Sequence, residues 1–206
     1  MRAEILLYVD PQSPYSWLAH ARAPRVFGVA PQLRAITLGP IFARRGWGSW
    51  GRTAEREAGQ REVERRAAAY GLRAVRWPDG WPFDSLRPSR AVTWADLHGR
   101  GDAFFAAIGA ATFARGEDPT DPAVLAAAAV QAGLDPEAVE AGITDPAVKA
   151  ALRQATNLAW EAGVRGVPTV SVNGTLFFGD DRLEEAASVL RSTHAAAPSS
   201  RSWTTD

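Results

Sequence analysis

The stretch Gln12-Ser13-Pro14-Tyr15-Ser16-Trp17-Leu18 decides the fold of this chain, because it follows closely on the apolar run Ile5-Leu6-Leu7-Tyr8-Val9. Five apolar residues make a strand, and Asp10-Pro11 ends it. Ser13 is a favoured helix N-cap, and Pro14 suits the first helical position, where its missing N–H costs nothing. The segment therefore reads as a buried strand that turns sharply into a helix. Such a restart leaves backbone N–H groups without partners, and the Ser13 hydroxyl sits beside them at the positive end of a helix. An isolated Ser-Pro pair is a plain cap. Next to a bound anion, the same position becomes stabilising.

From there, Pro14 to about Phe27 reads as one helix, which Pro24 is expected to kink or end, with Gly28 behind it. Leu33 to Leu38 reads as a strand parallel to the first, giving a right-handed βαβ unit that Gly39-Pro40 closes. Arg44 to Arg52 is rich in Gly, Trp and Arg and reads as a loop. Thr53 to Tyr70 is a charged, solvated helix stopped by Gly71, and Trp77 to Pro82 is turn-rich. From Pro88 to Trp160 the pattern is helical and alanine-rich. There Asp121-Pro122, Asp135-Pro136 and Asp145-Pro146 each place an N-cap acid before a first-position proline, with Gly133 and Gly163 as stops.

Gly166 to Val172 then reads as a strand. Asn173-Gly174 is a hairpin signal, and Thr175 to Phe178 returns antiparallel. Gly179-Asp180-Asp181 breaks that strand ahead of a last helix, about Arg182 to Leu190. The expected class is α/β, a βαβ…ββα arrangement resembling the thioredoxin-like fold. Residues 1–39 and 161–193 would form that part, 40–160 an all-helical insertion, and 194–206 a flexible tail.

Composition narrows the chemistry. Acidic and basic residues balance at 23 each, so nothing favours a nucleic-acid partner or an acidic membrane surface. The chain has no cysteine, which removes disulfides, protein thiolates and cysteine metal sites. Its three histidines, His20, His98 and His194, lack metal-ligand spacing, so no metal is expected. No apolar stretch approaches membrane-spanning length and no signal-like segment opens the chain, so a cytoplasmic location is expected.

These elements and their local motifs resemble the DsbA-like branch of the thioredoxin superfamily. In redox members of that branch the first helix opens with Cys-x-x-Cys; here Ser13-Pro14-Tyr15-Ser16 stands in its place, which excludes thiol–disulfide exchange by the protein itself. The serine version is similar to the kappa-class glutathione transferases and, closer still, to the 2-hydroxychromene-2-carboxylate isomerases. Gly166-Val167-Pro168-Thr169, Phe178-Gly179-Asp180-Asp181-Arg182-Leu183 and Phe83-Asp84-Ser85-Leu86-Arg87-Pro88-Ser89-Arg90 extend the likeness.

The resemblance implies roles. Ser13 would sit by the sulfur of glutathione, or of another low-molecular-weight thiol. Val167, before a cis Pro168, would pair its backbone with the tripeptide, and Asp180 and Asp181 would meet its γ-glutamyl end. Tyr15, Trp47, Trp50, Asp84 and Arg90 are candidates for the pocket of a small aromatic substrate. The segments around Trp77 and Trp81 share that apolar character, and Arg44, Arg45 or Arg90 would receive a substrate carboxylate. The isomerases usually carry a neutral residue where Asp180 stands and Pro-x-Asn where this chain has Phe83-Asp84. Glu55 and Ala58 occupy their lysine and tyrosine positions. The implied activity is thiol-dependent cis–trans isomerisation in a homodimer. A kappa-like transferase is one alternative. A non-catalytic module that holds extended peptide at the Val167-Pro168 edge is the other.

Overall fold

The structure, a computed structural model, describes residues 4–195. Strand β1 (Ile5–Val9) is central, next to β2 (Gln32–Ala35) on one side and β3 (Thr169–Val172) on the other, with β4 (Thr175–Phe178) at the far edge. The β1/β2 pair is parallel and the other two pairs are antiparallel. Register puts Leu33, Leu7, Val170 and Phe177 in one row across the sheet. All four are buried in the same apolar core. The next row, through Tyr8 and Thr169, faces the opposite layer. Strand alternation thus gives the sheet two buried faces.

Helix α1 (Pro14–Phe27) joins β1 to β2, and α9 (Leu183–Ala195) packs against α1 and β3. Between β2 and β3 run α2 (Leu38–Arg45), α3 (Arg56–Ala69), α4 (Leu86–Leu97), α5 (Gly101–Ala110), α6 (Pro122–Gln131), α7 (Pro136–Thr144) and α8 (Pro146–Glu161). The Asp121, Asp135 and Asp145 carboxylates each cap the following helix by accepting from the second helical N–H, as the Asp-Pro pairs predict. Asn173 and Gly174 both have positive φ, the geometry of a tight hairpin turn.

Three expectations need correction. Pro24 does not end α1, which runs on to Phe27 and stops at Gly28 in the left-handed conformation. So near the helix end its ring deletes a single intrahelical bond, and the buried Leu18, Ala19 and Ala23 hold that face. The second strand ends at Ala35, and Leu38 already opens α2. Pro40 does not interrupt α2, because the third helical N–H has no intrahelical acceptor to lose. Consequently the boundaries expected at 39/40 and 160/161 both cut helices; the helical segment spans Leu38 to Glu161. Most of the expected 194–206 tail, residues 196–206, lies outside the described residues.

Core packing also crosses those boundaries. Phe104, Phe105, Ile108, Leu125 and Val139 from the helical segment share one buried cluster with Leu7, Val9, Val170 and Leu183. A second cluster, Tyr8, Ile36, Ile41, Ala159 and Val167, fills the opposite sheet face. A third is aromatic: Trp17, Trp81, Phe83 and Phe113 are buried, with Tyr15, Trp50, Tyr70 and Trp77 packed against them. This third cluster builds the wall of the site.

Candidate active site

At the C-terminal end of β1 the chain turns through Asp10 to Gln12 into α1. The turn is closed by Ser13 N–H donating to the Asp10 carbonyl at 2.9 Å. Ser13 is the N-cap of α1; its Oγ accepts from the Ser16 N–H at 3.2 Å. That bond uses an oxygen lone pair, so the hydroxyl proton stays free for another acceptor. Pro14 has no N–H, and the Tyr15 N–H has no partner among the described residues. Ser16 is wholly buried and structural, its Oγ accepting from the Asp10 N–H.

Ser13 lines a cleft of about 330 Å³ with Tyr15, Trp47, Trp50, Phe42 and Val167. The volume is within the range of small-molecule pockets, and the lining is mostly apolar with a few polar groups. Trp50 and Trp81 stand 4.8 Å apart, and Trp77 and Trp81 4.7 Å. Close approach depends on glycine: a Cβ at Gly51 would lie 2.5 Å from the Trp81 ring, and one at Gly59 2.4 Å from Trp50. The Trp81 indole N–H donates to the Gln12 carbonyl at 2.9 Å, and the Gln12 side-chain amide donates to the Phe83 carbonyl. The helical segment therefore clamps the turn that carries Ser13.

Val167 lines the same cleft and is followed by cis Pro168, as the resemblance implies. Neither the N–H nor the C=O of Val167 has a partner among the described residues. One cleft wall thus offers a free donor and acceptor with strand-like spacing, just ahead of β3.

Beneath the turn lies Asp10, fully buried. Its carboxylate accepts from the Gln12 N–H at 2.9 Å, the Leu38 N–H at 2.8 Å and the Ser85 hydroxyl at 3.1 Å. Burial pushes its pKa up to about 6, against the pull of those donors. Thr37, the N-cap of α2, makes no side-chain cap bond, so Asp10 supplies that cap from a distance. In the sequence, Asp10 signals only a strand breaker. An acid closing a buried strand was the available signal, since unpaired burial is costly.

The structure separates the other expected residues. Asp180 is buried, with Oδ1 accepting from Arg66 at 2.7 Å and Oδ2 from the Tyr70 hydroxyl at 2.9 Å. Burial raises its pKa, while the Tyr70 and Arg66 contacts oppose the rise. Asp181 is 3.4 Å from Arg66, and its side chain is 55% exposed. Of the two acids, it is the accessible one. Neither caps the final helical turns through its side chain. The Arg66 guanidinium lies 5.5 Å from the Tyr15 ring, which connects this charged group to the cleft. Burial raises the Tyr15 pKa, with Arg66 pulling the other way.

Asp84 lines a neighbouring cleft of about 510 Å³ that shares Gln12, Leu38 and Phe42 with the first. It also caps α4, accepting from the Leu86 N–H at 2.9 Å. Arg90, half-buried on α4, lines neither cleft, because its turn of α4 packs inward. Trp77 is likewise spent on packing: it meets Trp50, Trp81 and Phe113, and its N–H donates to Glu64. Phe42, Phe178, Glu55 and Arg165 line the cleft without having been named as site residues in the sequence reading. Phe42 lies on α2, where the sequence signals only a strand end and the Gly39-Pro40 turn. Phe178 was legible as the outward residue of an alternating strand ending at the hairpin's far side.

Among the described residues no group of three or more His, Cys, Asp or Glu side chains is placed to hold a metal ion. None of the described helices is long and apolar enough to cross a membrane.

Comparison with known proteins finds relatives that share this fold. The chain is 29% identical over 201 residues to a 2-hydroxychromene-2-carboxylate isomerase from Sphingobium xenophagum, covering 92% of this chain and 99% of that protein. The solved structure of a 2-hydroxychromene-2-carboxylate isomerase superposes with a TM-score of 0.80 at 24% identity, over 95% of this chain and 99% of its own. A cytosolic disulfide reductase, DsbM from Pseudomonas aeruginosa, solved with GSH, superposes with a TM-score of 0.63 at 21% identity, over 93% and 99%. The DSBA-like thioredoxin domain family matches residues 4–191. On a match of that extent, the chain belongs to the DSBA-like thioredoxin domain family.

Proposed function

We propose that the protein is a cis–trans isomerase of the 2-hydroxychromene-2-carboxylate type that works with glutathione, or another low-molecular-weight thiol, as cofactor. One observation carries the reading. The Ser13 oxygen is already satisfied by the Ser16 N–H, so its proton is free to donate into an aromatic cleft, and the chain has no cysteine of its own to receive it. In this reading the acceptor comes from a ligand. The 29% identical isomerase relative supports the reaction class, and the reductase solved with GSH supports a thiol in this fold.

The cleft suits such a thiol. Its volume of about 330 Å³ accommodates a tripeptide's central portion beside a small aromatic. Val167 offers backbone N–H and C=O for strand-like pairing, and Asp181 offers an exposed carboxylate for an amine. Asp180 is committed to Arg66 and Tyr70, so in this reading it positions Arg66. When bound, the thiol supplies a sulfur nucleophile that adds to and leaves a conjugated double bond. Ser13 O–H and Tyr15 N–H donate toward the sulfur at the α1 N-terminus and favour its anion, which is only a few per cent populated for a free thiol at neutral pH. Trp47, Trp50 and Phe42 flank the aromatic partner and exclude water. Homodimeric assembly and a cytoplasmic location belong to the same proposal.

Calorimetric titration with glutathione, followed by turnover of 2-hydroxychromene-2-carboxylate, tests the reading. Binding with turnover at constant total free thiol is the expected result. Binding with stoichiometric loss of thiol would make the protein a transferase. An absence of thiol binding would remove the proposal and leave a peptide-holding module. N-methylation of the cysteinyl amide of glutathione, which faces Val167 in this reading, is expected to weaken binding about fivefold, the worth of one net hydrogen bond.

A further inference from the structure

Three arginines gather beside the part of the cleft that Trp47 and Arg165 line. Arg45, at the end of α2, lies over the Trp47 ring at 3.2 Å, and its Nη1 donates to the Arg165 carbonyl at 3.3 Å. Arg165 lies over the Trp160 ring at 3.9 Å, and its Nη1 donates to the Trp160 carbonyl at 2.7 Å. Arg44 approaches the same Trp160 ring at 5.4 Å and donates to the Asn157 side-chain oxygen at 2.7 Å. Every polar partner of these three guanidinium groups is a neutral oxygen. Among the described residues none of the three has a carboxylate within 4.0 Å, although ten other pairs do. Glu55 also lines the cleft but lies beyond 4.0 Å of all three, so the group is a cluster of positive charge with no paired counter-ion.

Stacking on indole rings holds the guanidinium planes in place while leaving edge N–H groups free, so little ordering entropy remains to be lost on meeting an anion. Like charges gathered without a counter-ion repel one another, and that repulsion is relieved when an anion arrives. Arg165 and Trp47 also line the cleft itself. We propose that Arg45 and Arg165, braced by Trp47 and Trp160 and seconded by Arg44, form a rim site for a carboxylate or phosphate carried by the molecule in the cleft. The assignment rests on the proposed reading only in taking the cleft as the ligand site. Of the three arginines that the sequence offers for a carboxylate, Arg44 and Arg45 belong to this group and Arg90 does not, while Arg165 is the one that lines the cleft.

Three ligand pairs, each differing by one class of charge, locate the source of the anion. They are cinnamate against cinnamyl alcohol, glutathione against its glycine ethyl ester, and coenzyme A against pantetheine. Titrations use the full chain, the Arg45→Gln/Arg165→Gln double variant, and Arg153→Gln as an exposed control on α8. In at least one pair the anionic member is expected to bind about tenfold tighter or more, the scale of a charge-assisted hydrogen bond. The gap should collapse to under about threefold in the double variant, persist in the control, and narrow with salt. Absence of a gap in every pair overturns the rim site, as does a gap that survives the double substitution. A gap for cinnamate without any thiol binding supports the rim and overturns the thiol reading. Thiol binding with no gap anywhere does the reverse.

Discussion

Replacing Ser13 with alanine removes two interactions that can be told apart. The first is the cap: Ser13 Oγ accepts from the Ser16 N–H at 3.2 Å, and serine-to-alanine at an N-cap costs about 1 kcal/mol of stability. The second is the free hydroxyl proton. A hydrogen bond to a charged acceptor contributes roughly 1.5–3 kcal/mol, and each pKa unit corresponds to about 1.36 kcal/mol. Loss of the donor should therefore raise the pKa of a bound thiol by about 1 to 2 units, toward the value of a free thiol. Ser13→Gly keeps the second effect and nearly abolishes the first, since glycine is tolerated at N-caps within a few tenths of a kcal/mol. The assay is thiolate ultraviolet absorbance of bound glutathione against pH, with urea denaturation of the same proteins. Both variants should show the same pKa rise, and only alanine the larger loss of stability. If the bound-thiol pKa in both variants stays within about 0.3 units of the parent, Ser13 is a cap and nothing more.

Asp10 should make stability fall with rising pH. Its folded pKa of about 6 exceeds the ordinary value of 3.8, so the native state binds the proton more tightly between those limits. This contribution is intact below about pH 4 and is lost as pH rises through about 6, a change of about 3 kcal/mol. Urea titrations across that window should show the decline in the parent but not in Asp10→Asn, and matching slopes would refute the assignment. Tyr70→Phe strips Asp180 of the donor at 2.9 Å and leaves a buried carboxylate oxygen unsatisfied, a loss of about 1–3 kcal/mol by denaturation. An unchanged midpoint would show Asp180 satisfied otherwise. Gly59→Ala sets a Cβ 2.4 Å from Trp50, so about 1–3 kcal/mol of stability should go, along with affinity for aromatic probes in the cleft. Full retention of both would mean that Trp50 moves freely.

Sequence alone determined the parts of this protein that are local. The β1 run followed by Ser13-Pro14, the three Asp-Pro helix starts and the Asn173-Gly174 turn are short-range signals, because capping and turn chemistry act within four residues. They were enough to place Ser13 at a helix N-terminus and Val167 at a strand entry. Tertiary structure alone decided what those positions face. Asp180 looked like an open ligand contact until Arg66 and Tyr70, more than 100 residues earlier, closed on both its oxygens. Asp10 looked like a breaker until Leu38 and Ser85 arrived to bond it. Arg90 and Arg165 were indistinguishable as lone arginines; packing turned one inward on α4 and set the other against Trp160 in the lining of the cleft. Burial and charge pairing are sums over neighbours that folding brings together, so no reading of adjacent residues contains them.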